Sequence, residues 1–112
     1  MPNTNISDAN SVHHLVAKAE STRTHEGTLA ELLHTGNVLV HRALSQNHKT
    51  PSETLHVLAK SDDELVIYSV ARHVNTAIET LVELSKHAKS DIAYSATQHP
   101  TYQLYNSFFA AF

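Results

Sequence analysis

Apolar residues recur along this chain with a period of 26 residues. In each unit two leucines stand three residues apart, and a later pair of apolar residues stands four residues apart. Both spacings place side chains on one face of an α-helix, so each unit predicts two short amphipathic helices joined by turns. The pairs are Leu29 and Leu32, Leu55 and Leu58, Leu81 and Leu84, and then Val40 and Leu44, Val66 and Val70, Ile92 and Ala96.

The units are expected to stack, because helices of about ten residues are marginal in water until their apolar edges are covered. The predicted fold is all-α: a short right-handed α-solenoid of about three 26-residue helix-turn-helix repeats, with capping helices at both ends. The predicted segments of this single 1–112 domain are disordered residues 1–10, a capping helix at 11–23, repeats at 24–49, 50–75 and 76–100, and an aromatic capping helix at 101–112.

Three segments match the capping box, in which a Ser or Thr begins a helix and a Glu three residues later returns the bond. Thr50 to Glu53 and Thr76 to Glu79 would start the first helices of two units, with Pro51 at a first helical position. Ser61 to Glu64 would start a second helix. These boxes predict where the helices begin.

The two central segments resemble the leucine-rich repeat variant, a HEAT-like helical repeat family. Thr50 to Ala59 is similar to its T-P-x-x-L-x-x-L-A pattern, and Val66 to Val74 is similar to its V-R-x-A-V-A-x-N-P pattern. Ile92 to Pro100 is similar in its tail, although His73 and His99 stand where the family has Asn. The resemblance implies a binding or scaffold role without enzymatic chemistry.

Composition removes several classes of function. The 112 residues carry a net charge of -3 and no cysteine, so a disulfide framework, a thiolate zinc site and a cysteine-held iron–sulfur cluster are excluded. Lys60 and Lys86 form the only repeated basic column, which makes nucleic acid an unlikely partner. No segment resembles a signal peptide or a membrane span, and no motif of a known catalytic site occurs. A cytoplasmic protein with no enzymatic activity and no membrane partner is expected.

One stripe of polar and aromatic residues follows the second helices. Tyr and Arg are common at the centres of protein interfaces, so the stripe is a candidate partner-binding surface. In the alternative interpretation, the tyrosines are half-buried between units and the other residues are only solvated. The six residues are Arg42, Gln46, Tyr68, Arg72, Tyr94 and Gln98.

The aromatic C-terminus is a second candidate surface. Phe108, Phe109 and Phe112 either fold back over the last unit or meet another copy of the chain in a homodimer, since exposed apolar patches usually mark interfaces.

Ten histidines raise the question of a metal site. Only His73 and His99, at equivalent positions of adjacent units, are a plausible pair, and stacked helices would hold them about 10 Å apart, too far to share one metal. The favoured interpretation has Asn47, His73 and His99 bonding the backbone of the turns, so no metal ligand and no cofactor is predicted.

Taken together, these patterns predict an adaptor, inhibitor or immunity-type protein that binds another protein. A histidine-based metal- or pH-responsive protein is the alternative, and a HEAT-like nucleic-acid binder is third.

Overall fold

The computed structural model describes residues 11 to 110, and every regular element in that range is helical. The all-α prediction is therefore confirmed. The predicted disorder of residues 1–10 and the position of Phe112 lie outside the described residues. The helices are α1 (Val12–Glu20), α2 (Glu26–Leu32) with a 3₁₀ turn (Leu33–Thr35), α3 (Val38–Gln46), α4 (Ser52–Leu58), α5 (Glu64–Arg72), α6 (Ile78–Leu84), α7 (Ser90–Gln98) and α8 (Pro100–Ala110).

Four of the helices, α1, α3, α5 and α7, pack one against the next, and we call them the row helices. Their first residues are Val12, Val38, Glu64 and Ser90, each 26 positions after the one before. The shorter helices α2, α4 and α6 each pack on the row helix that follows, and α8 packs on α6 and α7. We predicted α1 as a capping helix. It contacts α3 in the same way as α3 contacts α5, so it lies where the second helix of a preceding unit would lie.

The core lies between the row helices and the shorter helices. All six residues of the three leucine pairs are buried, and so are the six apolar residues of the second helices. Complete burial of a Leu or Val side chain contributes about 2 kcal/mol, which is what holds helices of seven and nine residues in place. The spacing argument of the sequence is thus confirmed at these twelve positions.

The prediction that Thr50 and Thr76 begin helices as capping boxes is wrong. The residues before α4 and α6 are Pro51 and Ala77, and neither makes a side-chain capping bond. Instead each threonine hydroxyl donates backwards to the preceding row helix, Thr50 to the Leu44 carbonyl at 2.7 Å and Thr76 to the Val70 carbonyl at 2.6 Å. The last carbonyls of a helix lack partners within it, and here they are buried, so the threonines stabilise a helix end rather than a helix start.

The third capping box, at Ser61, places the N-cap two residues too early, because α5 begins at Glu64 and its N-cap is Asp63. The Asp63 carboxylate accepts the Val66 N–H at 3.1 Å, while the Ser61 hydroxyl accepts the N–H of Asp63 itself at 3.0 Å. Asn37 caps α3 in the same way as Asp63 caps α5, through bonds from the Leu39 and Val40 N–H groups. Short polar side chains at this position satisfy backbone donors that the first helical turn leaves unpaired.

Candidate functional site

The row helices expose one continuous surface on the side away from the shorter helices. The fifth and ninth residues of α3, α5 and α7 lie on it, together with one residue from the turn before, which is a leucine on α3 and α5 and an aspartate on α7. We call this surface the second-helix face. It is formed by Leu39, Arg42 and Gln46 on α3, by Leu65, Tyr68 and Arg72 on α5, and by Asp91, Tyr94 and Gln98 on α7.

Three shallow grooves cross the second-helix face, one between each pair of neighbouring row helices. The grooves between α1 and α3 and between α3 and α5 each enclose about 440 Å³, and the groove between α5 and α7 about 370 Å³. Gln46 belongs to the first two grooves, and Tyr68 and Arg72 belong to the last two. The predicted stripe residues are therefore brought together as the walls between successive grooves.

Tyr68 and Arg72 form a pair on α5. The Arg72 guanidinium carbon lies 5.4 Å from the centre of the Tyr68 ring, and Arg72 Nη1 donates to the Tyr68 hydroxyl at 3.3 Å. Such a cation–π contact holds the long arginine side chain in one arrangement. On the next helix Tyr94 is 65% exposed. Of the two tyrosines predicted to half-bury in the alternative interpretation, only Tyr68 does so.

Arg42 differs from the other stripe residues because its charge is matched within the chain. Its Nη2 donates to Asp63 Oδ1 at 2.7 Å and its Nε donates to Asp63 Oδ2 at 3.0 Å, which gives a two-point ion pair. The hydrogen bond from Arg42 lowers the pKa of Asp63 below its ordinary value. The pair ties α3 to the N-cap of α5, so Arg42 stabilises the packing of two row helices as well as bordering the face.

Two apolar residues of the face were missed by the sequence argument. Leu39 and Leu65 are both exposed, and they line the first and second grooves. They stand three positions before Arg42 and Tyr68, and this spacing puts them on the same side of their helices. The spacing of Leu39 and Leu65 is therefore a signal that the sequence contains, outside the polar and aromatic columns that define the stripe.

The equivalent residues Asn47, His73 and His99 end the row helices and form a ladder of hydrogen bonds, which we call the turn ladder. His99 Nε2 donates to the His73 carbonyl at 2.7 Å, and His73 Nε2 donates to the Asn47 carbonyl at 2.8 Å. Asn47 Nδ2 donates to the Ala19 and Ser21 carbonyls at 2.8 and 3.0 Å. The favoured interpretation of these three residues is confirmed.

The second nitrogen of each imidazole in the turn ladder is also engaged. His73 Nδ1 accepts the Asn75 N–H at 3.0 Å, and His99 Nδ1 accepts the Thr101 N–H at 3.1 Å. Neither ring keeps a free lone pair for a metal ion. Burial is the main reason that the pKa of His73 is lowered, and the nearby His48 and His99 lower it further. Between residues 11 and 110, no group of three or more His, Asp or Glu side chains could hold a metal ion.

A larger groove of about 770 Å³ lies on the other side of the molecule, between the 3₁₀ turn and α4. Two of its polar side chains are bonded within the chain: His41 Nε2 bonds the Leu33 carbonyl at 2.8 Å, and Asp63 faces Arg42. Much of the remaining wall is apolar, with Val57 and Leu58 from α4.

Two of the three C-terminal phenylalanines, Phe108 and Phe109, lie on α8 with their rings exposed. For these two residues, the interpretation in which the phenylalanines fold back over the last unit is wrong, because the half-buried residue of α8 that packs on the core is Tyr102.

Searches against family models, curated proteins and solved structures find no match to this chain. The resemblance to the leucine-rich repeat variant therefore stays a prediction based on the residues alone. Among the helices described, none is both long and apolar enough to span a lipid bilayer.

Proposed function

We propose that this chain is a non-enzymatic binding module, a short right-handed α-solenoid that holds another protein against its second-helix face. The supporting observation is the run of three grooves whose walls carry an exposed tyrosine, a tyrosine–arginine pair and exposed leucines. Tyr and Arg are enriched among residues that dominate binding energy, since each adds a broad contact area and a polar tip.

The spacing of the grooves limits the form of the partner. Packed helices stand 8 to 10 Å apart, so successive grooves repeat at about that distance. A segment in the polyproline II conformation advances about 3.1 Å per residue with three residues per turn, so every third side chain points the same way and would reach the next groove. We therefore propose an extended segment of the partner that carries apolar or aromatic residues three positions apart.

The charges on the face favour a partner of mixed polarity over nucleic acid. Arg42 is paired with Asp63, Asp91 lies in the groove between α5 and α7, and Arg72 stacks on the neutral Tyr68 ring. A phosphate backbone needs clustered cations, and this face does not provide them. The metal-responsive alternative has less support, because the ladder histidines use both ring nitrogens for backbone bonds.

Site-specific photocrosslinking tests the proposal. A photoreactive phenylalanine at position 94 of the second-helix face should capture a partner in the native lysate, and the same residue at position 57 is the matched control. Val57 is a good control because it is also exposed but belongs to α4 and the opposite groove. Adding Tyr68→Ala and Arg72→Ala to the position-94 protein should abolish capture without a change in the circular dichroism spectrum.

The contrast between these proteins decides the result. Capture from position 94 that the two alanines remove supports the second-helix face as the binding surface. Capture from position 57 alone, or capture from position 94 that survives both alanines, would move the binding surface elsewhere.

A further inference from the structure

Helix α8 (Pro100–Ala110) exposes an apolar surface that no other described element covers. Leu104 and Phe108 are one turn apart and are 74% and 62% exposed, and Tyr105 and Phe109 beside them are 40% and 57% exposed. We call these four residues the α8 arc. Tyr102, at the edge of the arc, packs on the core and fixes which side of the helix faces out. In a soluble amphipathic helix the apolar side normally faces a neighbour, so the arc indicates an interface.

The arc is pre-ordered by contacts among its own rings. The Tyr105 and Phe109 ring centres are 4.8 Å apart, and the Phe108 and Phe109 ring centres are 5.1 Å apart in an edge-to-face arrangement. Rings held in this way lose little further rotamer freedom when a partner covers them. The arc is therefore a formed surface before it is bound.

Charge distinguishes between the possible partners of the arc. In a twofold contact the same patch meets itself, so a charged residue near the axis is brought close to its own like charge. Helix α8 contains no Asp, Glu, Lys or Arg, which makes its surface self-compatible. Helices that lie on membranes usually carry Lys or Arg on their polar side, and α8 lacks these residues. The absence of charge thus favours a second copy over a lipid surface.

The exposed area predicts how strong such a contact is. With about 200 Å² for a whole large side chain, the four arc residues leave about 450 Å² open in each copy. Two copies would bury about 900 Å², below the 1,200 to 2,000 Å² of a typical stable complex. A weak dimer, with a dissociation constant in the micromolar range, is what this area supports.

We propose that α8 is a self-association surface, through which two copies of the chain pair across their α8 arcs. This contact uses a different surface from the second-helix face, so each copy in the dimer keeps its face open. The proposal therefore does not depend on the binding function proposed above, and the two can fail separately.

Sedimentation equilibrium of the purified full chain over about 1 to 100 µM tests the proposal, since a weak interface dissociates within that range. The wild type should change from monomer to dimer as concentration rises. Leu104→Glu and Phe108→Glu should each keep the chain monomeric, because each would bury a carboxylate without a partner in an apolar contact. Asn106→Glu, which adds the same charge on the polar side of α8, should leave the dimer intact.

Two results would overturn the proposal. One is a wild type that stays monomeric at the highest concentration. If this monomer co-floats with lipid vesicles in a density gradient, the arc binds a lipid surface instead of a second copy. The other is a dimer that survives Leu104→Glu and Phe108→Glu while both variants keep the wild-type circular dichroism spectrum. Loss of the dimer in those variants, with persistence in Asn106→Glu, supports pairing through the arc.

Discussion

His99 donates a hydrogen bond from Nε2 to the backbone carbonyl oxygen of His73, 2.7 Å away, and both residues are buried at the ends of neighbouring row helices. His73 makes the same bond to Asn47 at 2.8 Å. A side chain at the end of one helix thus satisfies a carbonyl at the end of the helix before it. This arrangement links the turns along the row and makes the turn ladder a contributor to stability.

Removing one imidazole from the turn ladder should destabilise the chain. His73→Ala removes the bond to the Asn47 carbonyl, which then keeps only the Thr50 N–H, and leaves the Asn75 N–H without its bond to the imidazole, so we expect the free energy of unfolding to fall by about 2 kcal/mol. His73→Asn should lose less than half as much, because Asn47 already makes equivalent bonds at this position. Urea denaturation at pH 7.5 measures both values. Equal losses in the two variants would contradict a hydrogen-bonding role.

Acid should weaken the fold through the same histidine. Burial lowers the pKa of His73 in the folded chain, while in the unfolded chain it titrates near 6.5. The stability that neutral His73 contributes is fully present above about pH 6.5. It is lost as pH falls towards the folded pKa, because the unfolded chain takes up the proton first. The charges that face His73 come from His48 and His99, and they oppose its protonation.

His73→Asn is the control for this pH dependence. Between pH 6.5 and 5 the wild type should lose up to about 1.4 kcal/mol per pH unit more than the variant, the value for one proton. Urea midpoints measured across this range give the two slopes. Parallel slopes would show that His73 does not carry the pH dependence.

The buried threonines should act on the helix that precedes them. Thr50→Val keeps the shape of the side chain but leaves the buried Leu44 carbonyl with only the longer bond from the Asn47 N–H at 3.3 Å, so we expect a loss of free energy of unfolding of about 1 kcal/mol. Hydrogen exchange locates the effect, which should appear in the last turn of α3. Thr50→Ser, which keeps the hydroxyl, is the control. Faster exchange confined to the first turn of α4 would support the capping box that the sequence suggested.

The sequence was sufficient to predict the helices and the core, because the spacing of Leu55, Leu58, Val66 and Val70 reflects one physical requirement, burial on one side of a helix. It was insufficient for the polar residues. A Thr before a Pro can bond forwards to a new helix or backwards to the last one, and residue type alone does not distinguish the two directions.

The candidate site shows the same division. The sequence predicts the stripe from the regular spacing of residues such as Tyr68 and Tyr94, because helix geometry places residues at this spacing on one side. The pairing of Arg42 with Asp63 joins residues 21 positions apart and depends on how α3 packs on α5. A contact of this kind becomes visible only when the packing is known.

Substitution of Asp63 should lower the stability of the chain, because this one side chain caps α5 and also pairs with Arg42 on α3. Asp63→Ala removes both the N-cap bond to Val66 and the ion pair with Arg42, and we expect a loss of at least about 1 kcal/mol from the cap alone. Asp63→Asn keeps a capping oxygen, as Asn37 does on α3, so the difference between the variants isolates the cap.

The charge of Asp63 has its own test in pH and in binding. Its pKa is lowered by Arg42, so the stability from the pair is present above about pH 4 and is lost as pH falls below that value. Asp63→Asn should lack this acid step in urea denaturation. Arg42→Ala should likewise destabilise the chain. If Arg42→Ala left stability unchanged but abolished capture from position 94, Arg42 would serve the partner rather than the packing of α3 on α5.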